Sequence, residues 1–274
     1  MRIHFMIVRR VPDVPSPVLA EAYDVLRSRG HEVDATIAED EVRLLDAMDP
    51  EHDLYVLKSH TELSLGLAGI LHGQGAEILN PYPACAATQN KILAARTLRD
   101  AGVPTPRTWV VGDPTAMAAE LRRGSLIVKP YMGHRGAGVS VVHDLDGLAA
   151  ALAEGEGPML VQEHIPGPGE DLKVYVVGEQ VFAVRKPFSE TSFAVPGRPV
   201  RVDAEVRELA LRAGRALGLG LFGLDVIESP SGPVVVDANY FPGYKGVPDA
   251  GTLIGEYIDQ HARRLERGGL AAAA

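Results

Sequence analysis

Apolar and polar positions change rhythm along this chain, and the first rhythm is an alternation of short strands with helices. Ile3–Val8, Glu32–Ile37, Asp53–Lys58 and Ala76–Leu79 are compact apolar runs that read as strands. Between them, Pro17–Arg29 repeats Val18, Ala22, Val25 and Leu26 at helical spacing and stops at Gly30, and Leu63–His72 reads as a helix ending near Gly73. This order predicts a small α/β layer with a parallel sheet. It should close at the turn cluster Asn80-Pro81-Tyr82-Pro83 and end near residue 86.

The rhythm then becomes that of antiparallel sheets with added helices. Thr88–Ala101 reads as one helix closed by Gly102, and Arg107–Val111 as a strand. Asp113 is placed to cap a helix running through Leu121 with Pro114 at its first position. Ser125–Pro130 and Val139–His143 read as strands flanking a glycine-rich loop. Further on come a strand at Met159–His164, a hairpin Leu172–Val177/Gln180–Lys186 and a helix from Ala204 to about Leu217. A second hairpin, Leu221–Glu228/Pro233–Asn239, and a helix from about Leu253 to Arg264 complete the pattern. The expected organisation is an N-terminal α/β domain at 1–86, α+β subdomains at 87–160 and 161–267, and a tail at 268–274, frayed or left from expression.

Composition narrows the function. With 274 residues and 46% hydrophobic content the chain can bury a substantial core. Its net charge of −9 argues against a nucleic-acid binder with a broad basic surface, while leaving room for a local basic pocket. A single cysteine, Cys85, excludes an internal disulfide framework and a cysteine-based zinc cluster. No stretch reads as a signal or membrane span, so a cytoplasmic protein without a membrane partner is expected.

The second hairpin carries the densest chemistry. If it folds symmetrically about Ser231, Asp225 falls opposite Asp237, and Asn239 shares their face because strand side chains repeat every second residue. Two carboxylates and an amide carbonyl make an all-oxygen site suited to Mg²⁺, which takes one or two carboxylates together with water and substrate phosphates. A solvated polar hairpin face is the alternative reading. Lys129 ends the apolar strand Leu126-Ile127-Val128 just before Gly133-His134-Arg135-Gly136-Ala137-Gly138, a loop whose glycines let backbone N–H groups approach phosphate oxygens. The spacing matches neither the P-loop nor the Rossmann fingerprint. Alternation places Asp171, Lys173 and Tyr175 on one face of their strand. Lys58 and His60 end a first-domain strand and could also face the cleft, though His60 reads better as an edge residue without a role.

In this order of parts the chain resembles the ATP-grasp superfamily over nearly its whole length. Val161-Gln162-Glu163-His164-Ile165 and Gly136-Ala137-Gly138-Val139 look like the RimK-type carboxylate–amine ligases. Lys173-Val174-Tyr175-Val176-Val177-Gly178 and Asp237-Ala238-Asn239-Tyr240-Phe241-Pro242-Gly243-Tyr244 look like the inositol trisphosphate 5/6-kinases. The resemblance implies an N-terminal α/β domain followed by two α+β subdomains that enclose ATP. By the same resemblance, Lys91 and Lys129 would be the ATP-phosphate lysines, with Gly136 and Gly138 in the phosphate loop. Gln162, Glu163, His164 and Ile165 lie at the adenine hinge, Asp171 meets the ribose, and Lys173 faces the phosphates. The resemblance also implies that Asp225, Asp237 and Asn239 would hold one or two Mg²⁺ ions, or Mn²⁺ in their place.

The leading expectation is an ADP-forming ligase joining small-molecule or peptide carboxylates to amines through an acylphosphate. Arg185 and Lys173 would act in catalysis, and Arg185, Lys186 and Lys245 would meet the substrate. The alternatives are a small-molecule kinase of the inositol-phosphate type and a non-catalytic nucleotide-binding module. The acceptor and the oligomeric state are left open.

Overall fold

The structure is a computed structural model describing residues 1–10, 14, 16–132, 138–155, 157–187 and 197–272. The first unit alternates β1 (Arg2–Ile7), α1 (Pro17–Ser28), β2 (Glu32–Ile37), β3 (Leu54–Leu57), α2 (Glu62–Gly73) and β4 (Ile78–Leu79). These strands form the expected parallel sheet in the order β2-β1-β3-β4. Ser16 and Thr61 cap α1 and α2 by accepting from Leu19 N and Ser64 N, which satisfies N–H groups that a helix start leaves open.

Two expectations fail next. The segment after Asn80 is not merely a turn but opens α3 (Tyr82–Gln89), and the single helix expected from Thr88 is broken, with α4 running Lys91–Asp100. Pro81 and Pro83 fit a helix start because the first turn needs no N–H from them. Asn90 supplies the break: its side chain accepts from Ile92 N and Leu93 N at 3.1 and 3.3 Å and restarts the helix.

The second sheet contains β5 (Thr108–Val110), the short α5 (Ala118–Leu121), β6 (Leu126–Pro130), β7 (Ser140–Val142), α6 (Leu145–Glu154) and β8 (Met159–Glu163). Its order is β5-β8-β6-β7, antiparallel throughout. The expected boundary at residue 160 therefore falls inside one of its strands. Helix α6, absent from the sequence reading, is capped by Asp144 and buries Leu148 against the sheet.

The third sheet is built from β9 (Glu170–Val177), β10 (Gln180–Pro187), β11 (Arg198–Val200), β12 (Leu221–Ser229) and β13 (Gly232–Tyr240), in the order β11-β10-β9-β12-β13. Helix α7 (Ala204–Leu217) buries Val206, Leu209, Ala210, Ala213 and Leu217 and packs on β9 and β10. Helix α8 (Ala250–Ala272) runs past the end expected at Arg264 into the stretch expected to fray. Alanine favours continuation of a helix even where packing has ended.

The buried apolar residues form one continuous core through the first and third sheets, while the second sheet has a core of its own. Asn80 makes the join: its Nδ2 donates to Leu221 O at 2.7 Å, and its Oδ1 accepts from Gly220 N and Leu221 N at 2.9 Å. Helix α8 crosses back onto α1, where His31 and Asp259 meet in a buried 2.9 Å contact. Among the described residues, no helix is long and apolar enough to cross a membrane.

Candidate active site

Strand register decides which polar residues meet. Asp225 lies opposite Asp237 on one side and Lys173 on the other, while Asp171 lies opposite Lys186. One face of the third sheet therefore collects Asp171, Lys173, Lys186, Asp225, Asp237 and, two residues along β13, Asn239. Like charges directly opposite each other destabilise a strand pair unless something compensates them. Here lysines do. Lys173 Nζ lies 2.6 Å from Asp225 Oδ2 and 2.7 Å from Asp171 Oδ2, and Lys91 Nζ lies 2.5 Å from Asp237 Oδ1.

Lys91 reaches Asp237 because the Asn90 cap makes it the first residue of α4. Lys129 comes from β6 in the second sheet and donates from Nζ to Val236 O at 3.0 Å. A bulge explains that acceptor. Register shifts between Asp225, paired with Asp237, and Val226, paired with Val235, so Val236 is the extra residue and its carbonyl leaves the ladder. Asn239 donates from Nδ2 to Asp237 Oδ2 at 3.5 Å.

The electrostatics follow from burial set against these pairs. Burial favours the neutral form of Asp237, but Lys91 and Lys129 outweigh it and hold the carboxyl below its ordinary value. Burial likewise opposes the Lys173 charge, yet Asp225 and Asp171 hold the ammonium above its ordinary value. Burial and the neighbouring Asp225 push Asp171 up. Its Oδ1 is buried without a hydrogen-bond partner. Burial lowers Lys129, and burial with the charges of Lys173 and Lys245 lowers Lys186.

One sequence expectation is corrected by register. Arg185 pairs with Leu172, so its side chain leaves on the opposite face from Lys173. There its guanidinium binds Glu228 at 2.8 Å and approaches Glu170 at 3.9 Å. It does not meet the lysine–carboxylate cluster. Lys186, next to it, does share that face and is 4% exposed.

At the hinge, Gln162 is buried and donates from Nε2 to Thr108 Oγ1 at 2.8 Å. The backbone N–H groups of Glu163 and His164 already donate to Arg107 O and Ser125 O at 2.9 and 3.3 Å, and Ile165 follows the strand end. Of the loop residues, Gly138 has φ +71° and stands where a Cβ would come within 3.0 Å of Pro130. Gly136 and the rest of 133–137 lie outside the described residues.

The first domain meets the site's hairpin at the strand end of Lys58 and His60, and also through Ser59 and Gln89, which the sequence did not single out. Tyr240 OH donates to Ser59 O at 2.7 Å and meets Gln89 Oε1 at 2.9 Å, while the His60 ring stacks on Tyr240 with centroids 4.2 Å apart. His60 therefore has a partner in the site's own hairpin. Lys58 Nζ sits 5.3 Å from the Phe241 ring centroid. Beyond Asn239 the backbone is strained, with buried Phe241 and Tyr244 at φ 34° and 49°. Tyr244 OH, donating to Val176 O at 2.8 Å, helps to hold that turn. A hollow of about 300 Å³ beside β5, lined by Trp109, Val110 and Met117 with Asp113 and Glu120, lies away from this cluster. A narrow gap of about 20 Å³ adjoins the cluster itself, between Lys91, Lys129, Gln162 and Asp237.

A parallel α/β unit followed by two antiparallel sheets, with lysines from the second sheet and α4 meeting acids of the third, is the ATP-grasp fold. A family model for the RimK-like ATP-grasp domain matches residues 88–259, and the chain belongs to that family. It is a family of ADP-forming carboxylate–amine ligases that use ATP and Mg²⁺. A probable alpha-L-glutamate ligase of Xanthomonas oryzae pv. oryzae is 34% identical over 220 residues, covering 71% of this chain and 72% of that protein. A RimK domain ATP-grasp protein from Sphaerobacter thermophilus superposes with a TM-score of 0.74 at 23% identity, covering 94% of this chain and 99% of the other. A D-alanine–D-alanine ligase from Bacillus anthracis, solved with ATP, has a TM-score of 0.74 at 18% identity, covering 98% and 99%. The family match lies with the ligase branch of the sequence resemblance rather than the inositol-kinase branch.

Proposed function

We propose that this chain joins an amino-acid or peptide carboxylate to an amine at the lysine–carboxylate face, with an amino acid of the glutamate type as one substrate. The substrate class follows the relatives, which are probable alpha-L-glutamate ligases; the basic side chains Lys186 and Lys245 near the face suit an acidic substrate. The observation that carries the reading is the convergence of Lys91, Lys129 and Lys173, from three separate elements, on Asp225, Asp237 and the Val236 carbonyl.

The donor set fits the nucleotide and its metal. Asp225, Asp237 and Asn239 offer hard oxygen donors, the type that suits Mg²⁺. The unpartnered buried Oδ1 of Asp171 is an acceptor suited to a ribose hydroxyl. Bound there, Mg²⁺ would neutralise phosphate charge during phosphoryl transfer.

The chain's own part is positioning and electrostatics. Lys91 and Lys129 would turn from Asp237 and Val236 O to phosphate oxygens, and Lys173 would remain anchored by Asp171 while facing the transferred group. Lys186, not Arg185, supplies the cation for the acylphosphate and the tetrahedral centre that follows amine attack. Gln162, Glu163, His164 and Ile165 border the adenine. The reaction has no need of a nucleophile on the protein, and a soluble cytoplasmic setting suits its substrates.

The test incubates the chain with Mg-ATP and an amino-acid panel, scoring ADP, inorganic phosphate and hydroxylamine trapping separately. ADP and phosphate appearing together, with a trapped hydroxamate, is the expected result. ADP with a stable phosphate ester and no free phosphate would make the protein a kinase and overturn the reading.

A further inference from the structure

A second constellation lies in the first domain, where β1, the edge strand β2 and the segment entering β3 come together. His4 on β1 is buried, and its Nδ1 meets Asp34 Oδ1 on β2, the edge strand. His52, on the segment entering β3, places Nε2 2.9 Å from Asp34 Oδ2. One carboxylate thus draws one nitrogen from each of two imidazoles, and the three donor atoms lie within 4.8 Å of one another. The rings are 4.7 Å apart between centroids, both flanked edge-on by Tyr55.

We infer that His4, Asp34 and His52 form a binding site for a divalent transition-metal ion of the zinc type, separate from the nucleotide cleft. Two imidazoles and one carboxylate are a ligand set that suits Zn²⁺, Co²⁺ or Cu²⁺ and is too soft to favour Mg²⁺. Zinc bonds of about 2.0–2.2 Å in a tetrahedron place ligand atoms about 3.3 Å apart, so the three donors, which lie within 4.8 Å of one another, reach that spacing by side-chain shifts on the order of 1 Å.

The supporting shell is present. His4 Nε2 lies 3.0 Å from Thr36 Oγ1, so a tautomer change that moves the ring proton from Nδ1 to Nε2 frees Nδ1 for the ion and gives Thr36 that proton's hydrogen bond. The nearby Arg43 guanidinium is engaged by Glu41. The Asp34 side chain is 59% exposed, which gives the ion a route in and leaves its remaining coordination to water. A bound ion would tie edge strand β2 to β1 and to the start of β3.

The experiment titrates tag-free, chelator-treated full chain with Co²⁺ in excess Mg²⁺, following cobalt d–d absorption and then its displacement by Zn²⁺. One ion per chain is expected, with affinity falling at least about tenfold in both His52→Ala and Asp34→Asn. These substitutions avoid the buried His4, and circular dichroism reports the fold. Asp237→Asn should bind cobalt as the unsubstituted chain does. Absence of stoichiometric binding, unchanged affinity in His52→Ala and Asp34→Asn, or loss of binding in Asp237→Asn would each overturn the site.

Discussion

Asp225 and Asp237 face each other directly across β12 and β13, and each carboxylate is held by a lysine from a different element, Lys173 on β9 and Lys91 on α4. Two acids placed side by side in a hairpin are unfavourable by themselves. The arrangement is stable because the lysines supply counter-charge, and under the proposed function the same lysines would meet a phosphate.

Asp237→Asn keeps the side-chain shape and removes the charge. It should lower kcat by at least about 10²-fold, since metal charge stabilisation contributes several kcal/mol at a transferring phosphoryl group. The fold should survive, because the side chain is 24% exposed and its amide can still hydrogen-bond. Steady-state ADP release together with a thermal melt checks both halves; turnover near the unsubstituted level would show that the hairpin face is structural only.

Arg185 and Lys186 are adjacent in sequence and opposite in space, so their alanine variants should separate cleanly. Arg185→Ala breaks a partly exposed pair with Glu228 and should cost only about 0.5–1 kcal/mol of stability while leaving kcat near the unsubstituted value. Lys186→Ala should lower kcat by roughly 10²–10³-fold, the usual effect of removing one pre-oriented charge from a reacting centre. Parallel kinetics and urea melts of the two variants decide it. The reverse pattern would return the catalytic role to Arg185.

This pair also marks how much the sequence could say. Counting outward from the turn pair Ser229–Gly232 would set Asp225 opposite Val236; the Asp225–Asp237 pairing expected from symmetry about Ser231 holds because the Val236 bulge shifts the register by one residue. The same reasoning extended to the first hairpin gives Lys186: Val177 pairs with Gln180 around Gly178-Glu179, and counting outward brings Lys186 to Asp171 and Arg185 to Leu172. That signal is present in the sequence, although the catalytic expectation rests on Arg185. Asn90 was likewise readable as a cap, although the apolar spacing of Thr88–Ala101 runs through it. By contrast, the Val236 bulge, the Asn80 clamp and the His4–Asp34–His52 group depend on strand order and long-range approach. Local periodicity contains neither.

The His31–Asp259 contact that fastens α8 to the first domain should impose a pH dependence on stability. Burial favours a neutral Asp259, but Arg263 and His31 outweigh it, so the carboxyl is held below its ordinary value. A depressed folded-state carboxyl stabilises above the unfolded value, about pH 4, and that stability is lost as pH falls through the folded value. Asp259→Asn should cost about 1–3 kcal/mol at neutral pH, as expected for hydrogen bonds to a charged group, and should show a shallower acid decline. Urea unfolding from about pH 7 to about pH 3 measures both. Identical acid limbs would show that the contact adds nothing beyond packing.

Two glycines on helices should respond to alanine with opposite signs. Helix propensity alone favours alanine over glycine by about 1 kcal/mol inside a helix. Gly66 lies within α2, and a Cβ there meets nothing within 4 Å, so Gly66→Ala should stabilise by about 0.5–1 kcal/mol. Gly251 lies in the first turn of α8 where it crosses α1, and a Cβ there would come within 2.5 Å of Glu21 Cβ and 2.6 Å of Val18 O. Val18 O is helix backbone and cannot step aside as a flexible side chain can, so the two helices must separate. Gly251→Ala should therefore cost about 1–3 kcal/mol, the usual range for overpacking a tight contact. Gly255, one turn further along the same seam and 2.8 Å from Val25 Cβ, should behave alike. Thermal melts of the three variants make the comparison. Stabilisation by Gly251→Ala would mean that α8 does not hold its place on α1.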